Sequence, residues 1–168
     1  MALADAKEKT GKKSMYIANC TADGLQMLDR AYKAQEIGAD GIMVAPALTG
    51  FTLIRDLARD PEFHLPIFLH PCFSGSLVLS EDSGMSPFCY YGQLSRLIGA
   101  DAAIFTSFGG RFSFSVDTCQ KICEGTSEMM GGLRSIFPVP SGGMRWQLFK
   151  NMYQTCLLYT SPSPRDRS

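Results

Sequence analysis

Little in this sequence marks a chemistry by itself. Its 168 residues carry no net charge, with 16 Lys and Arg against 16 Asp and Glu. That balance argues against a broad nucleic-acid footprint or a charged membrane surface, because both need a basic face. No apolar run reaches the roughly 20 residues of a transmembrane helix. Met1 to Lys13 is a polar leader without an apolar stretch of signal-peptide length, so a cytoplasmic protein is expected. There is no Walker phosphate loop, no GxGxxG fingerprint and no GxSxG elbow. No CxxC pair occurs among the six cysteines, Cys20, Cys72, Cys89, Cys119, Cys123 and Cys156. The only two histidines, His64 and His70, lie far upstream of the closest cysteine pair. Cys119 and Cys123, one helical turn apart, therefore read as small buried residues and not as half of a metal site.

The hydrophobic content, 45%, is that of a chain with a core. Short apolar runs alternate with segments of helical period. Strands are expected at 14–19, 41–45, 65–70, 102–106 and 135–139. Helices are expected at 23–37, 51–59, 87–98, around 117–124 and at 145–155. In the first of these helices, Leu25, Leu28, Tyr32 and Ile37 mark the apolar face. A short repeat supports the parse. Ile37-Gly-Ala-Asp40 precedes the run GIMV, and Ile98-Gly-Ala-Asp101 precedes AAIF. Each reads as helix end, glycine cap, polar turn and buried strand. The strands are apolar over consecutive residues, as in a parallel sheet covered on both faces. Five β/α units fit an open doubly wound sheet or part of a (β/α)8 barrel. At roughly 29 residues per unit, eight units would need about 235 residues, close to the usual barrel length.

The C-terminal stretch reads differently. Cys156-Leu-Leu-Tyr-Thr-Ser-Pro-Ser-Pro-Arg-Asp166 breaks the preceding helical pattern. It matches one reading frame of a transposase sequencing adapter, so residues 156–168 are expected to be an artefact tail. The natural sequence would then stop near Thr155, with a polar leader at 1–13 and one folded domain segment at 14–155.

In either α/β architecture, function gathers at the carboxyl ends of the strands. Asn19 follows the first strand, and His70-Pro-Cys-Phe-Ser-Gly75 the third. Ser107-Phe-Gly-Gly-Arg111 follows the fourth, and Pro140-Ser-Gly-Gly-Met144 the fifth. The Ser141-Gly142-Gly143 turn runs into an expected helix, so its amides suit an anion, though an ordinary strand-to-helix turn has the same sequence. Arg111 adds a fixed charge that pairs with phosphate or carboxylate, or with a surface acid. His70 is a proton-transfer candidate or a satisfied structural group. His64, at the opposite strand end, reads as structural. Cys72 reads as a buried thiol, because no base is placed beside it. The aromatic run Phe88–Tyr91 reads as helix packing.

The order of these loops resembles the catalytic barrel of the ribulose-bisphosphate carboxylase (RuBisCO) large-subunit superfamily. KKSMYIANCTAD resembles the third-strand segment, and GADGIMVAPALTGFT the fourth. FLHP resembles the fifth, GQLSRLIGADAAIF the sixth, SFGGRFSF the flexible sixth loop, and PVPSGGM the seventh-strand phosphate loop. The resemblance implies a partial TIM (β/α)8 barrel of about five β/α units, the third to the seventh. Three positions depart from true carboxylases. Pro71 stands where they have arginine, Phe105 where they have a histidine, and Arg111 where they have the loop lysine. Two of these contact one sugar phosphate there, which speaks against a bisphosphate substrate.

The pattern is instead similar to the RuBisCO-like, non-carboxylating branch: enolases and isomerases of methylthio-sugar phosphates, and decarboxylases of branched oxo-sugar-acid phosphates. GGRFSF resembles the decarboxylases most. The resemblance makes His70 the proton-transfer histidine and Arg111 the loop cation. It makes Ser141, Gly142 and Gly143 the phosphate site, and puts Asn19 at the pocket. It implies Mg²⁺, held by ligands outside this chain, and a homodimer for the complete protein. The chain alone is expected to be inactive. A genuine carboxylase and a non-catalytic anion-binding module are the alternatives.

Overall fold

Five short strands pair in parallel in sequence order: β1 (Ile17–Asn19), β2 (Gly41–Val44), β3 (Ile67–Leu69), β4 (Ala102–Thr106) and β5 (Phe137–Ser141). A computed structural model describes residues 2–80, 82–109, 114–143, 147, 149–150 and 153. The long helices between the strands are α2 (Gly24–Glu36), α4 (Phe51–Arg59) and α7 (Val116–Ser127). Short helices α3 (Pro46–Thr49) and α5 (Gly75–Val78) fill two of the loops. Between β3 and β4 the chain forms a π-helix, Phe88–Leu94, which ends in one α-turn, α6 (Ser95–Leu97). Helix α1 (Ala2–Thr10) occupies the segment read as a polar leader.

Strands β1, β2 and β3 are shorter than their apolar runs by one to three residues, because ladder bonds stop where the loops begin; β4 has the expected bounds, and β5 lies two residues beyond the expected 135–139. Helix α4 has the expected bounds, closed by Asp60-Pro61. The expected last helix falls mostly outside the described residues, as do Arg111 and the tail 156–168.

One face of the sheet is dry. Ile42, Val44, Ile67 and Leu69 pack against Met27, Ala31 and Ala34 of α2 and against Ile54 and Leu57 of α4. Fully burying each large aliphatic side chain contributes about 1.5–3 kcal/mol. The apolar face of α2 differs from the expected one. Leu28 and Tyr32 flank the packed alanines, whereas Leu25 and Ile37 are exposed. Small residues let the helix sit close on the strands, so the deepest stripe is the one with least bulk.

A second cluster joins β4 to the other helices. Phe105 is fully buried against Tyr90, Tyr91, Cys119, Ile122 and Cys123. The two cysteines are buried apolar groups, as their spacing implies. The π-helix and α7 cross at two glycines. A Cβ on Gly92 would stand 2.6 Å from the Gly125 backbone, nearer than atoms can approach.

The repeated Ile-Gly-Ala-Asp segments do the same work twice. Gly38 and Gly99 take positive φ, 77° and 80°, and end their helices. Asp40 then donates its amide to the carbonyl of Tyr16, just before β1, at 2.8 Å, while its carboxylate accepts from the Tyr16 amide at 2.7 Å. Asp101 donates its amide to the Ile67 carbonyl and accepts the Ile67 amide at 2.9 Å. Each aspartate thus ties the amino end of one strand to the turn before its neighbour.

Candidate active site

Parallel pairing puts all five carboxyl ends along one edge, and among the described candidates Asn19, His70, Ser141, Gly142 and Gly143 stand on that edge. Register partners Asn19, Met43 and Phe68 lie on the face opposite the dry core. His70 continues that face two residues beyond Phe68. Thr106 and Ser141 are register partners at the ends of β4 and β5.

A cavity of about 660 Å³ opens beside His70. Pro71, Val78, Leu79 and Phe114 give it an apolar lining, with Thr106 and the Ser74–Tyr91 pair as polar groups. Phe105 is not part of it. Side chains alternate along a strand, so Phe105 points into the helix-covered core and Thr106 is the β4 residue at the cavity. Cys72 corrects the sequence reading, since its thiol is exposed at the cavity rim and not buried.

The loop after β3 fixes the imidazole. The His70 amide bonds the Val44 carbonyl at 2.8 Å, extending the ladder by one residue. The Cys72 amide then donates to His70 Nδ1 at 3.1 Å. An Nδ1 that accepts a hydrogen bond carries no proton, so the neutral ring holds its proton on Nε2. Next, the chain reverses through Phe73, whose φ of 64° is left-handed. That conformation costs a non-glycine residue about 1–2 kcal/mol, so the surrounding bonds must over-determine it. They include Ser76 Oγ to the Phe73 carbonyl, 3.0 Å, and Ser74 Oγ to the Pro71 carbonyl, 2.6 Å.

The β5 turn is built from two consecutive left-handed glycines, Gly142 at 83° and Gly143 at 68°. Successive residues in one helical region direct their amides the same way, and both glycines are exposed. Buried Ser107 braces this turn. Its amide donates to the Ser141 carbonyl at 2.8 Å and its hydroxyl to the Gly142 carbonyl at 3.2 Å. Ser141 Oγ donates to the Phe105 carbonyl, so its proton points back into the sheet. Asn19 accepts the Thr21 amide in a local turn, and does not line the cavity. The structure thus brings His70 and Thr106 to one cavity, with the Ser141 turn next in register and Asn19 two strands away. Ser74, Tyr91 and Ser107 escaped the sequence reading. Only the FCYY run and the HPxxSG pattern hinted at the first two.

Burial pushes the Tyr91 phenol up, so it stays neutral. Burial also raises Tyr90 and the Cys20 thiol, leaving both neutral. Among the described residues, no group of three His, Cys, Asp or Glu side chains is placed to hold a metal ion. None of the described helices is long and apolar enough to cross a membrane.

The family model for the ribulose bisphosphate carboxylase large chain, catalytic domain, matches residues 1–158. The chain is 34% identical over 143 residues to a 2,3-diketo-5-methylthiopentyl-1-phosphate enolase of Geobacillus kaustophilus, spanning 85% of this chain and 35% of that one. It is 33% identical over 144 residues to a 5-methylthioribulose-1-phosphate isomerase of Rhodospirillum rubrum, spanning 85% of this chain and 36% of that one. Among solved structures, a rubisco-like protein from Alicyclobacillus acidocaldarius superposes with a TM-score of 0.81 at 32% identity, over 91% of this chain and 39% of that one. The chain therefore spans little more than a third of the length of these relatives. On the family match and these likenesses together, it belongs to the RuBisCO large-chain catalytic-domain family, and its relatives are RuBisCO-like proteins.

Proposed function

We propose that this chain is the third to seventh units of a (β/α)8 barrel in a RuBisCO-like enzyme that enolises a singly phosphorylated keto-sugar derivative. One observation carries the reading: a histidine of defined tautomer beside an apolar cavity, on the same sheet edge as a double-glycine turn. The substrates named for the relatives have one phosphate end and one methylthio end. Gly142 and Gly143 amides suit the first, with Arg111 as the loop cation. The cavity walls suit the second, since Pro71 and Thr106 offer no cation to a second phosphate.

Enolisation moves one proton from carbon to oxygen. With Nδ1 occupied by the Cys72 amide, His70 acts through Nε2–H and passes its proton to the oxygen on which charge develops, while a base outside this chain takes the carbon proton and returns it to Nε2. The described residues supply no metal site, so Mg²⁺ enters this proposal only as an ion held by ligands outside the chain, and no step is routed through it. A homodimer is the proposed assembly.

The test uses the complete protein. Conversion of a 1-phosphorylated 2,3-diketone with a thioether tail to its enol is followed by ultraviolet absorption. His70→Gln is expected to lower turnover 10²- to 10⁴-fold with little change in melting temperature. Arg111→Met is expected to lower turnover without lowering stability. Full activity in His70→Gln, or release of CO₂ from an oxo-sugar-acid phosphate as the only turnover, would sink the enolase reading.

A further inference from the structure

The π-helix places one polar atom where the His70 loop needs it. Tyr91 and Ser74 are both buried, and their hydroxyls lie 2.6 Å apart. Proton accounting gives this contact a direction. Ser74 has one hydroxyl proton, and it goes to the Pro71 carbonyl, which can only accept. The Tyr91 hydroxyl must therefore donate to Ser74 Oγ. The Ser74 amide reaches the same Pro71 carbonyl at 3.1 Å, so that oxygen is held from two sides.

The Pro71 carbonyl and the Cys72 amide belong to one peptide plane. Because that plane is rigid, fixing its oxygen aims its N–H. That N–H is the group bonded to His70 Nδ1. We propose that Tyr91 and Ser74 are positioning residues for His70: the chain Tyr91 O–H, Ser74 O–H, Pro71 carbonyl sets the peptide plane whose amide selects the imidazole's Nε2–H tautomer. This rests on the reading of His70 as the proton-transfer group. It goes beyond that reading by naming what holds the ring ready.

The surroundings fit a device of this kind. Rings of Tyr90, Phe105 and Phe114 pack on Tyr91 at centroid distances of 4.9, 6.4 and 5.9 Å, which leaves its phenol little freedom. The left-handed Phe73 sits inside the turn that Ser74 closes.

The experiment reads the loop directly and needs no turnover. In the ¹⁵N-labelled complete protein, hydrogen exchange of the Cys72 amide and the His70 tautomer are measured by NMR, with exposed His64 as internal control. The intact chain should show a protected Cys72 amide and the Nε2–H form. Tyr91→Phe keeps the ring and removes the donor; Ser74→Ala removes the link. Both should speed Cys72 exchange roughly fivefold, the net worth of one hydrogen bond, and mix the tautomers. Amides of Ile67–Leu69 should keep their rates. Ser74→Thr, which keeps a hydroxyl, should restore protection. An unprotected Cys72 amide in the intact chain, or unchanged exchange and tautomer in Tyr91→Phe, overturns the proposal. Should Ser74→Ala also loosen β3, the isosteric Tyr91→Phe decides. If these readouts respond while His70→Gln of the complete enzyme keeps full turnover, the positioning stands and the enolase reading falls.

Discussion

The two ends of the sheet are braced by different chemistry. At the amino ends the braces are charged side chains on backbone groups. Asp40 and Asp101 hold strand amides. Arg96, buried and facing no carboxylate at its hydrogen-bond sites, donates to the carbonyls of Gly125, Glu128, Leu133 and Arg134. At the carboxyl ends the braces are neutral hydroxyls. Thr21 accepts the Ala45 amide, Ser107 holds the Gly142 carbonyl, and the Tyr91–Ser74 pair holds the Pro71 carbonyl. A charged brace is strong but sets a field around itself. A hydroxyl brace fixes geometry with little field, which suits an edge where an anion is to be bound and a histidine is to move a proton.

The largest effect should come from breaking the charged end. Arg96→Met leaves four carbonyls to find new partners, and is expected to cost about 3 kcal/mol or more. The urea midpoint checks this. A loss under about 1 kcal/mol would mean that water replaces the guanidinium without penalty. Protection of the Cys72 amide should survive the same substitution, since the two ends are braced separately.

A smaller effect is expected at the aspartates. Asp101→Ala removes one charge-assisted bond and should cost about 1.5 kcal/mol. Asp40 adds a pH signature. The Tyr16 amide, followed by the charge of Lys7, holds its carboxyl below the usual carboxylate range. A depressed folded-state value means stability that is complete above about pH 4 and is lost as pH falls through the lower folded-state value. The melting-temperature gap between the parent chain and Asp40→Ala should therefore be constant near neutrality and close in acid. A gap that persists at pH 2 would show that the contact does not depend on ionisation.

The smallest stability effect belongs to the neutral end. Gly142→Ala meets no atom within 4 Å, so its only penalty is the positive φ, about 1 kcal/mol. If the turn cradles phosphate, the same substitution should weaken binding of the phosphorylated substrate to the complete enzyme by more than that amount. Equal losses in calorimetric binding and in stability would leave Gly142 a turn residue only.

These two ends also differ in how far they could be read from sequence. The amino end is written in local signals: a glycine cap, then an aspartate two residues on, twice over. Its strands and the bounds of α4 followed from apolar runs and breakers. The carboxyl end was legible as a set of positions, His70, Ser141, Gly142 and Gly143, because strand ends are where loops expose chemistry. Its braces were not legible. Ser74 and Tyr91 are 17 residues apart, and only tertiary packing brings them together. Phe105 and Thr106 are adjacent, and one residue of register decides which of them faces the cavity. The face of α2 was misjudged for a related reason. Periodicity weights bulky residues, whereas close packing favoured Ala31 and Ala34.

The π-helix gives the chain an unusual relation to length. A π-turn carries one residue more than the α-turn it replaces. Removing any one residue between Phe88 and Leu94 would allow a regular helix, so the backbone itself would tolerate the deletion. The rest of the segment would not. Every side chain before the cut would rotate relative to those after it, and Tyr91 could no longer face Ser74 while Gly92 faced Gly125. The extra residue is what lets a single helix satisfy two neighbours whose positions are out of phase. Sequences of this kind should therefore drift by substitution through this segment far more readily than they change its count.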